Sequence, residues 1–578
     1  MITVSTEYME LIYQDNTKVN ANITYSALDV TAKSKARVNV SDKQSFSEPN
    51  QTLNDILKKK NVSTLEHNNW RLNGTTKLFP LNPDGEWGWW SLVQSDINGL
   101  FLNNPKAIYE WSENHTSIGI TLKFLEPVKE AILRWYDARG QQISSYTLTN
   151  NDLTKTTYSI ENGVENYQKL ELEIIKVLPK HYSKLGEIDF GIEFIWNDEI
   201  IDFEVEESLD SKLSTISSNQ VVITLNNLNQ KFNKYEPNNE IRFLQETQKL
   251  KIDTNVVVKN VEENVSLGTF YLTSWDSPSQ YTTKFVANDL LMKLKGTYTK
   301  SKFYINATVE TILIDLFQAC NLYSLDGSPQ FIISENVKNV TLTGYVPIVD
   351  YRTALQYITF ACGAVVKSGR DGKLYIERIQ ELSIAETIDG TKKALSQDRE
   401  GIKYSGVSIS QYTYTLASET TELFNGELSG DTVITFGGPA TEISITGSYT
   451  SYKAYANSIE IIGASGTIVV KGKVYDIYEN KVSKLLEDTT VGITKQVLEL
   501  SGFYLVGKKE TAEYLVGYLL NELQKSITNE FQWLGNPALE VGDYVNLEVQ
   551  EGVFRKAIVS KNKFSYNGAL KEISEVQL

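Results

Sequence analysis

Cysteine and histidine are nearly missing from this chain of 578 residues, which holds two Cys and three His. Two thiols cannot build a disulfide framework, and in so long a chain they point to synthesis in a reducing compartment. Positive charge is also short: 56 Lys and Arg stand against 72 Asp and Glu, a net charge of −16. Nucleic acid demands a concentrated positive surface, so general nucleic-acid binding is excluded, and anionic membrane surfaces are disfavoured for the same reason. No stretch approaches the ~18 consecutive apolar residues of a membrane span. The opening residues MITVSTEYMELIYQDN carry neither a basic start nor a long apolar run, so no secretory signal is expected and the chain is read as a soluble protein made in the cytoplasm.

Compact reaction motifs are missing too. His67, His115 and His181 lie in the first third, far from Cys320 and Cys362, with no HExxH or CxxC spacing, so no zinc site is expected. No G-x-S-x-G elbow marks a nucleophile. Gly463-Ala464-Ser465-Gly466 lacks the lysine and context of a phosphate loop. The histidines are expected at the surface or on strand edges, and the cysteines as small core residues. Glycoside hydrolysis needs only two carboxylates across a cleft. Glu187, Asp189 and Glu193, near Trp196, are candidates for such groups, but alternating charges on a strand usually form its wet face. No enzyme and no cofactor are expected.

Aromatic residues are plentiful: 32 Tyr, 21 Phe and 9 Trp. With abundant Thr, Val and Ile they suit pleated sheets. Strand patterns recur, as in Gly119–Phe124, Gln220–Leu225 and Gly466–Val470, and Arg370-Asp371-Gly372-Lys373 predicts a tight hairpin between Val366 and Leu374. Three segments have a helical period instead. One starts at an Asn306 cap and carries Val309, Ile312, Leu313, Leu316, Phe317 and Cys320. Another runs from Asp350 to a stop at Gly363, and the third from about Lys509 to Leu523. Each has one apolar stripe and should cover a sheet. Ser41 to Asn54 is expected to be a linker or excursion, and Lys58-Lys59-Lys60 a solvated run. The length predicts three to five domains in a mainly β chain with α+β segments.

The densest cluster is Glu86-Trp87-Gly88-Trp89-Trp90, with Trp70 before it and Trp111 after it. Indoles stack on sugars, and they equally anchor cores and protein interfaces, each burying ~150–250 Å². Trp87, Trp89, Trp90 and Trp111 are therefore the candidate contact residues, for a glycan or for a protein partner, with core packing as the plainer alternative. Strand alternation would put Trp87 and Trp89 on one face and Trp90 on the other.

The order of several pieces then resembles a known family. Trp87-Gly88-Trp89-Trp90 is followed by Ser95-Asp96-Ile97-Asn98-Gly99 and the strand Ile118 to Phe124. Next come Leu225-Asn226-Asn227-Leu228-Asn229-Gln230-Lys231-Phe232-Asn233, Leu267-Gly268-Thr269-Phe270-Tyr271-Leu272-Thr273-Ser274-Trp275 and Ala287-Asn288-Asp289-Leu290-Leu291. Tyr351 to Ile358 and Gly535-Asn536-Pro537-Ala538-Leu539-Glu540-Val541-Gly542-Asp543 complete the series. Together these resemble tail-tip or baseplate hub proteins of phages and prophages of low-GC Gram-positive bacteria, over most of residues 60 to 578.

That resemblance implies a structural role as a homotrimeric hub between the tail tube and the host-facing tip. Its partners would be tube, distal tail and spike subunits, in a virion tail assembled in the bacterial cytoplasm. It implies tube-like β-barrels, with N-terminal strands in 1–60 and a barrel in 201–300. A jelly-roll-like sandwich resembling carbohydrate-binding modules would be inserted at 61–200. An α+β hub domain would occupy 301–390, a second β domain 391–505, and a helix with a small C-terminal barrel 506–578. A receptor-binding arm that touches host wall glycan through the tryptophans is the alternative, and a wall-degrading enzyme a weaker one. Some relatives continue into a peptidase, lyase or fibre, whereas this chain ends at Leu578, so cutting activity is expected in another subunit.

Overall fold

A computed structural model describes the chain apart from residues 15–16, 57, 59–61, 65, 67–76, 79–84, 234–238, 381–382 and 487–495. Strands take 52% of the residues and helices 12%, so the molecule is mainly β and is built from several sheets. Among the described residues no helix is long and apolar enough to cross a membrane.

Alternation generates the largest sheet. In Gln220–Asn226, Val221, Ile223 and Leu225 point inward while their neighbours stay wet, and the flanking strands share that period. Thirteen strands hydrogen-bond into one sheet. Its first half runs Gly191–Trp196, Asn20–Leu28, Lys249–Val258, Val261–Ser279, Thr282–Asn288, Gln220–Asn226 and Ile200–Ser208. The second continues through Val553–Tyr566, Leu570–Gln577, Ile527–Trp533 and Lys393–Glu400, with Tyr544–Gln550 and Ile384–Ile388 alongside. The halves join where Phe203 pairs Tyr566 and Ser208 pairs Lys561. The Phe203 and Tyr566 rings stack across that seam, 5.3 Å between centroids.

Between the first two strands of this sheet in chain order, the polypeptide leaves to form a two-sheet sandwich. Arg37–Val40, Lys106–Ser117, Val164–Lys176, Glu130–Tyr136 and Gln142–Thr149 make one layer. Thr157–Ile160, Ile120–Phe124, Lys184–Asp189 and Trp89–Trp90 make the other. Tyr109, Leu122, Leu133, Trp135 and Ile188 fill the space between them. Ser41 to Asn54 is no linker: Phe46, Ser47 and Thr52 are buried against the sandwich, and Pro49–Leu53 forms a short helical turn. A further six-stranded sheet is organised around the long strand Ser458–Leu485, which pairs Gly406–Leu416, Thr421–Thr435, Ala440–Ser448 and Ser451–Ala454.

The three helices occur at Val309–Ala319, Tyr351–Cys362 and Lys509–Gln524. Asp350 caps the second by accepting from the Thr353 amide, and Gly363 ends it at φ +67°. The first begins later than its pattern suggested. Asn306 takes a left-handed φ of +53°, and Thr308 is the cap, accepting from the Thr311 amide. The first two helices pack on each other, whereas Lys509–Gln524 covers the strands Gly406–Leu416 and Ser458–Leu485. Cys362 is fully buried and Cys320 partly so, both against the same core.

The predicted tight hairpin forms with a three-residue loop, 370–372: beyond the Ser368–Leu374 pair, the Gly369 amide donates to the Lys373 carbonyl at 2.8 Å and the Gly372 amide to the Gly369 carbonyl at 3.0 Å. Gly372, at φ +83°, completes the turn, and Arg370 points inward and is buried. Its Nε and Nη2 donate to the Glu207 carboxylate at 2.6 and 2.8 Å. The same guanidinium donates to the carbonyls of Ser266 at 3.1 Å, Leu539 at 2.8 Å and Pro537. One side chain thus ties the first half of the large sheet to its C-terminal half.

Candidate functional site

All four candidate indoles are buried: Trp87 is 2% exposed, Trp89 and Trp90 0%, and Trp111 5%. None offers a face to a sugar. Trp70 and His67 lie outside the described residues, as do Lys59 and Lys60. The faces also differ from simple alternation. Trp89 enters the core between the sandwich sheets, while Trp87 and Trp90 share a separate cluster with Phe46 and Tyr182. Gly88 is the reason: at φ +70° it breaks the strand, which spans only Trp89–Trp90. A Cβ on Gly88 would stand 2.4 Å from the Leu185 carbonyl oxygen.

The folded-back segment before the cluster satisfies it. Trp89 Nε1 donates to the Asp42 carbonyl at 2.9 Å, and Trp90 Nε1 to the Trp87 carbonyl at 3.0 Å. Gln51 Oε1 accepts from the amides of Trp87 and Gly88 at 2.8 and 3.1 Å. Phe46 meets the Trp87 and Trp90 rings edge-on, 5.5 and 5.3 Å between centroids. Trp111 Nε1 donates to the Ala32 carbonyl at 2.9 Å. These are anchors of a core.

Charged groups line the sandwich beside these rings. Lys184 Nζ lies 4.5 Å from the centroid of the Trp90 ring and donates to Glu66 at 2.8 Å and Glu126 at 2.6 Å. Glu126 also holds His181 Nδ1 at 2.8 Å, and that bond raises the imidazole pKa. Burial alone would raise the Glu126 carboxyl, but His181 and Lys184 outweigh it and hold it below its usual range. His115 Nδ1 lies 2.8 Å from Asp29 Oδ2, against the Trp111 ring. His115 and His181 are therefore paired interior groups, contrary to a surface assignment.

The expected wet face of Glu187 and Asp189 is likewise folded in. Lys33 Nζ sits among Asp55, Glu187 at 2.8 Å and Asp189, and Lys123 adds contacts to Glu187 at 3.3 Å and Asp189 at 2.9 Å. Burial would lower the Lys33 pKa, but the three carboxylates raise it instead. Two groups, Glu66 with Glu126 and His181, and Asp55 with Glu187 and Asp189, bring their ligand atoms within 4.8 Å of one another. In each a lysine ammonium already occupies the cation position, so both are ion-pair networks that fix strands. Glu193 accepts from Ser26 Oγ at 3.1 Å on the neighbouring strand. Sequence reasoning missed Lys33, Lys184 and Arg370, since a lone basic residue inside an alternating pattern gives no sign of burial.

No protein-family model matches this chain, and no curated protein does. Solved structures do match. The 43 kDa tail protein of prophage MuSo2 from Shewanella oneidensis is 12% identical, over 66% of this chain and 94% of that one, with a TM-score of 0.37. The tail protein from Neisseria meningitidis MC58 is 10% identical, over 66% of this chain and 92% of that one, with a TM-score of 0.41. Prophage tail protein gp18 from Listeria monocytogenes EGD-e is 13% identical, over 66% and 91%, with a TM-score of 0.35. At identities and scores this low the likeness carries no argument about function.

Proposed function

We propose that this chain is a structural, non-enzymatic component of a phage or phage-like tail tip, a hub that joins the tail tube to the host-facing end. The observation that carries the reading is the single sheet that recruits strands from both ends of the chain and suspends the other units from it. Such a frame holds parts in fixed relation, and its edge strands need neighbours to cover them. Lys393–Glu400, exposed along nearly its whole length, is one such edge. The ordered sequence pieces that resemble hub proteins support the same reading. A closed homotrimeric ring would cover the edges and stop growth at a fixed size. The partners are then tube, distal tail and spike subunits, and the site of action is the virion tail tip after assembly in the host cytoplasm.

Electron microscopy of intact particles, labelled with antibody raised against residues 37–189, tests the proposal. Label at the centre of the tip is the expected result. Label on peripheral arms would move the role to receptor binding, with glycan contact through a surface other than the buried indoles. Absence from particles would overturn a tail role altogether.

A further inference from the structure

The sandwich, the large sheet and the loop that follows the helix Val309–Ala319 meet around a cavity of about 570 Å³. That size falls among small-molecule sites, ~300–1,000 Å³. One wall is a cross-strand row on the large sheet, in which Glu193 faces Ser26, Ser26 faces Lys249, and Lys249 faces Tyr271. Residues paired in an antiparallel sheet share a face. The row therefore runs carboxylate, hydroxyl, amine, phenol across four strands. Lys293, at the end of the helical turn Leu290–Lys293, extends it, with Nζ 4.3 Å from the centroid of the Tyr271 ring.

The two amines on this wall are unlike the others in the cavity. Lys33 and Lys123 lie against Glu187 and Asp189. Among the described residues no carboxylate lies within ion-pair distance of Lys249 or Lys293. Lys249 is exposed at this wall, while Asp29, Asp55, Glu187, Asp189 and Glu193 line other parts of the cavity. Lys293 is half-buried, and burial together with the charge of Lys249 pulls its pKa down to about 8. Desolvation and like-charge repulsion both act against this arrangement, and a compact anion between the amines would relieve both.

We propose that this cavity binds a phosphate group between Lys249 and Lys293, either as the free dianion or on a small organic phosphate. Phosphate alone is much smaller than the cavity, and Gln330 and Ser324, which also line it, offer hydrogen bonds to a hydroxylated remainder. The inference stands apart from the tail-hub reading, since it rests on this wall alone.

Calorimetric titration of the full chain with inorganic phosphate and with glucose 6-phosphate, at constant ionic strength, tests it. Saturable binding of at least one probe is expected. Lys293→Met, which keeps the apolar stem over Tyr271, and Lys249→Ala, at an exposed position, should each weaken it roughly tenfold or more. Lys295→Ala, which removes only an exposed partner of Glu246, should leave it unchanged. Tighter binding of glucose 6-phosphate assigns an organic phosphate, and equal binding assigns the free anion. Absence of saturable binding with both probes, or undiminished affinity in Lys249→Ala, overturns the proposal even if Lys293→Met fails to fold.

Discussion

Trp90 shows how much a single side chain decides here. Its ring closes against Phe46, its Nε1 is satisfied by the Trp87 carbonyl, and Lys184 covers its face. Trp90→Ala should therefore act as a stability mutant, losing ~3–5 kcal/mol. Denaturant unfolding of the full chain, followed by fluorescence, would show the sandwich transition at lower denaturant. An unchanged transition with altered glycan binding would restore a surface role. The richness in indoles was legible in the sequence, but the face each takes was not, because the +70° φ of Gly88 is set by close approach to Leu185. Glu572 makes the same point for charge. It is fully buried, accepts from the Asn536 amide at 2.7 Å and from Ser574 Oγ at 3.1 Å, and burial pushes its pKa up to about 8. An unfolded Glu titrates near ~4.3, so between those values the folded state binds the extra proton. The stability contributed is complete below ~4.3 and is lost as pH rises through about 8. Glu572→Gln should flatten that decline, read as the difference from wild type in unfolding free energy at pH 5 and at pH 9. A wild-type minus mutant difference that grows with pH would contradict it.

Elements were legible where their signals are local. Asp350 and Gly363 bracket a helix through contacts within four residues, and the stripe Ala512, Leu515, Val516, Leu519, Leu520 and Leu523 is buried as its period requires. The hairpin at Arg370 is legible as a turn, whereas the burial of its arginine is not, because the partners lie far away in sequence. Asp-Gly promises a tight turn, and Gly372 supplies its positive φ, but no local pattern announces that the Arg370 guanidinium reaches Glu207 and three distant carbonyls. Removing one partner of a buried pair leaves the other charge uncompensated, at ~3–5 kcal/mol. Arg370→Met should lose stability on that scale. Arg370→Met combined with Glu207→Leu should recover part of it, since no lone carboxylate then remains. Chemical denaturation of the two single mutants and the double mutant gives the coupling directly. Strict additivity would mean that the pair contributes nothing as a pair.

At the scale of the molecule, the unanticipated feature is that first and last strands share one sheet. Period-two patterns reveal strands but not partners, and nothing in Ile200–Ser208 announces a pairing with residues more than three hundred positions later. The pairing has an energetic consequence. Phe203, Val205 and Phe564 lie in one core, so the seam cannot open without exposing both halves. The sandwich has its own core and is joined to the sheet through the segments flanking Leu28 and Gly191, so it can open alone. Native-state hydrogen exchange should therefore sort the amides into at least two groups. Ile200–Ser208 and Val553–Tyr566 should share one opening free energy, while Lys106–Ser117 and Val164–Lys176 should share another. Deleting residues 535–578 should then collapse protection in Ile200–Ser208 and spare the sandwich. Retained protection in Ile200–Ser208 after that deletion would show that the two halves of the sheet fold independently, and that the frame proposed to hold a tail tip together is two domains in contact.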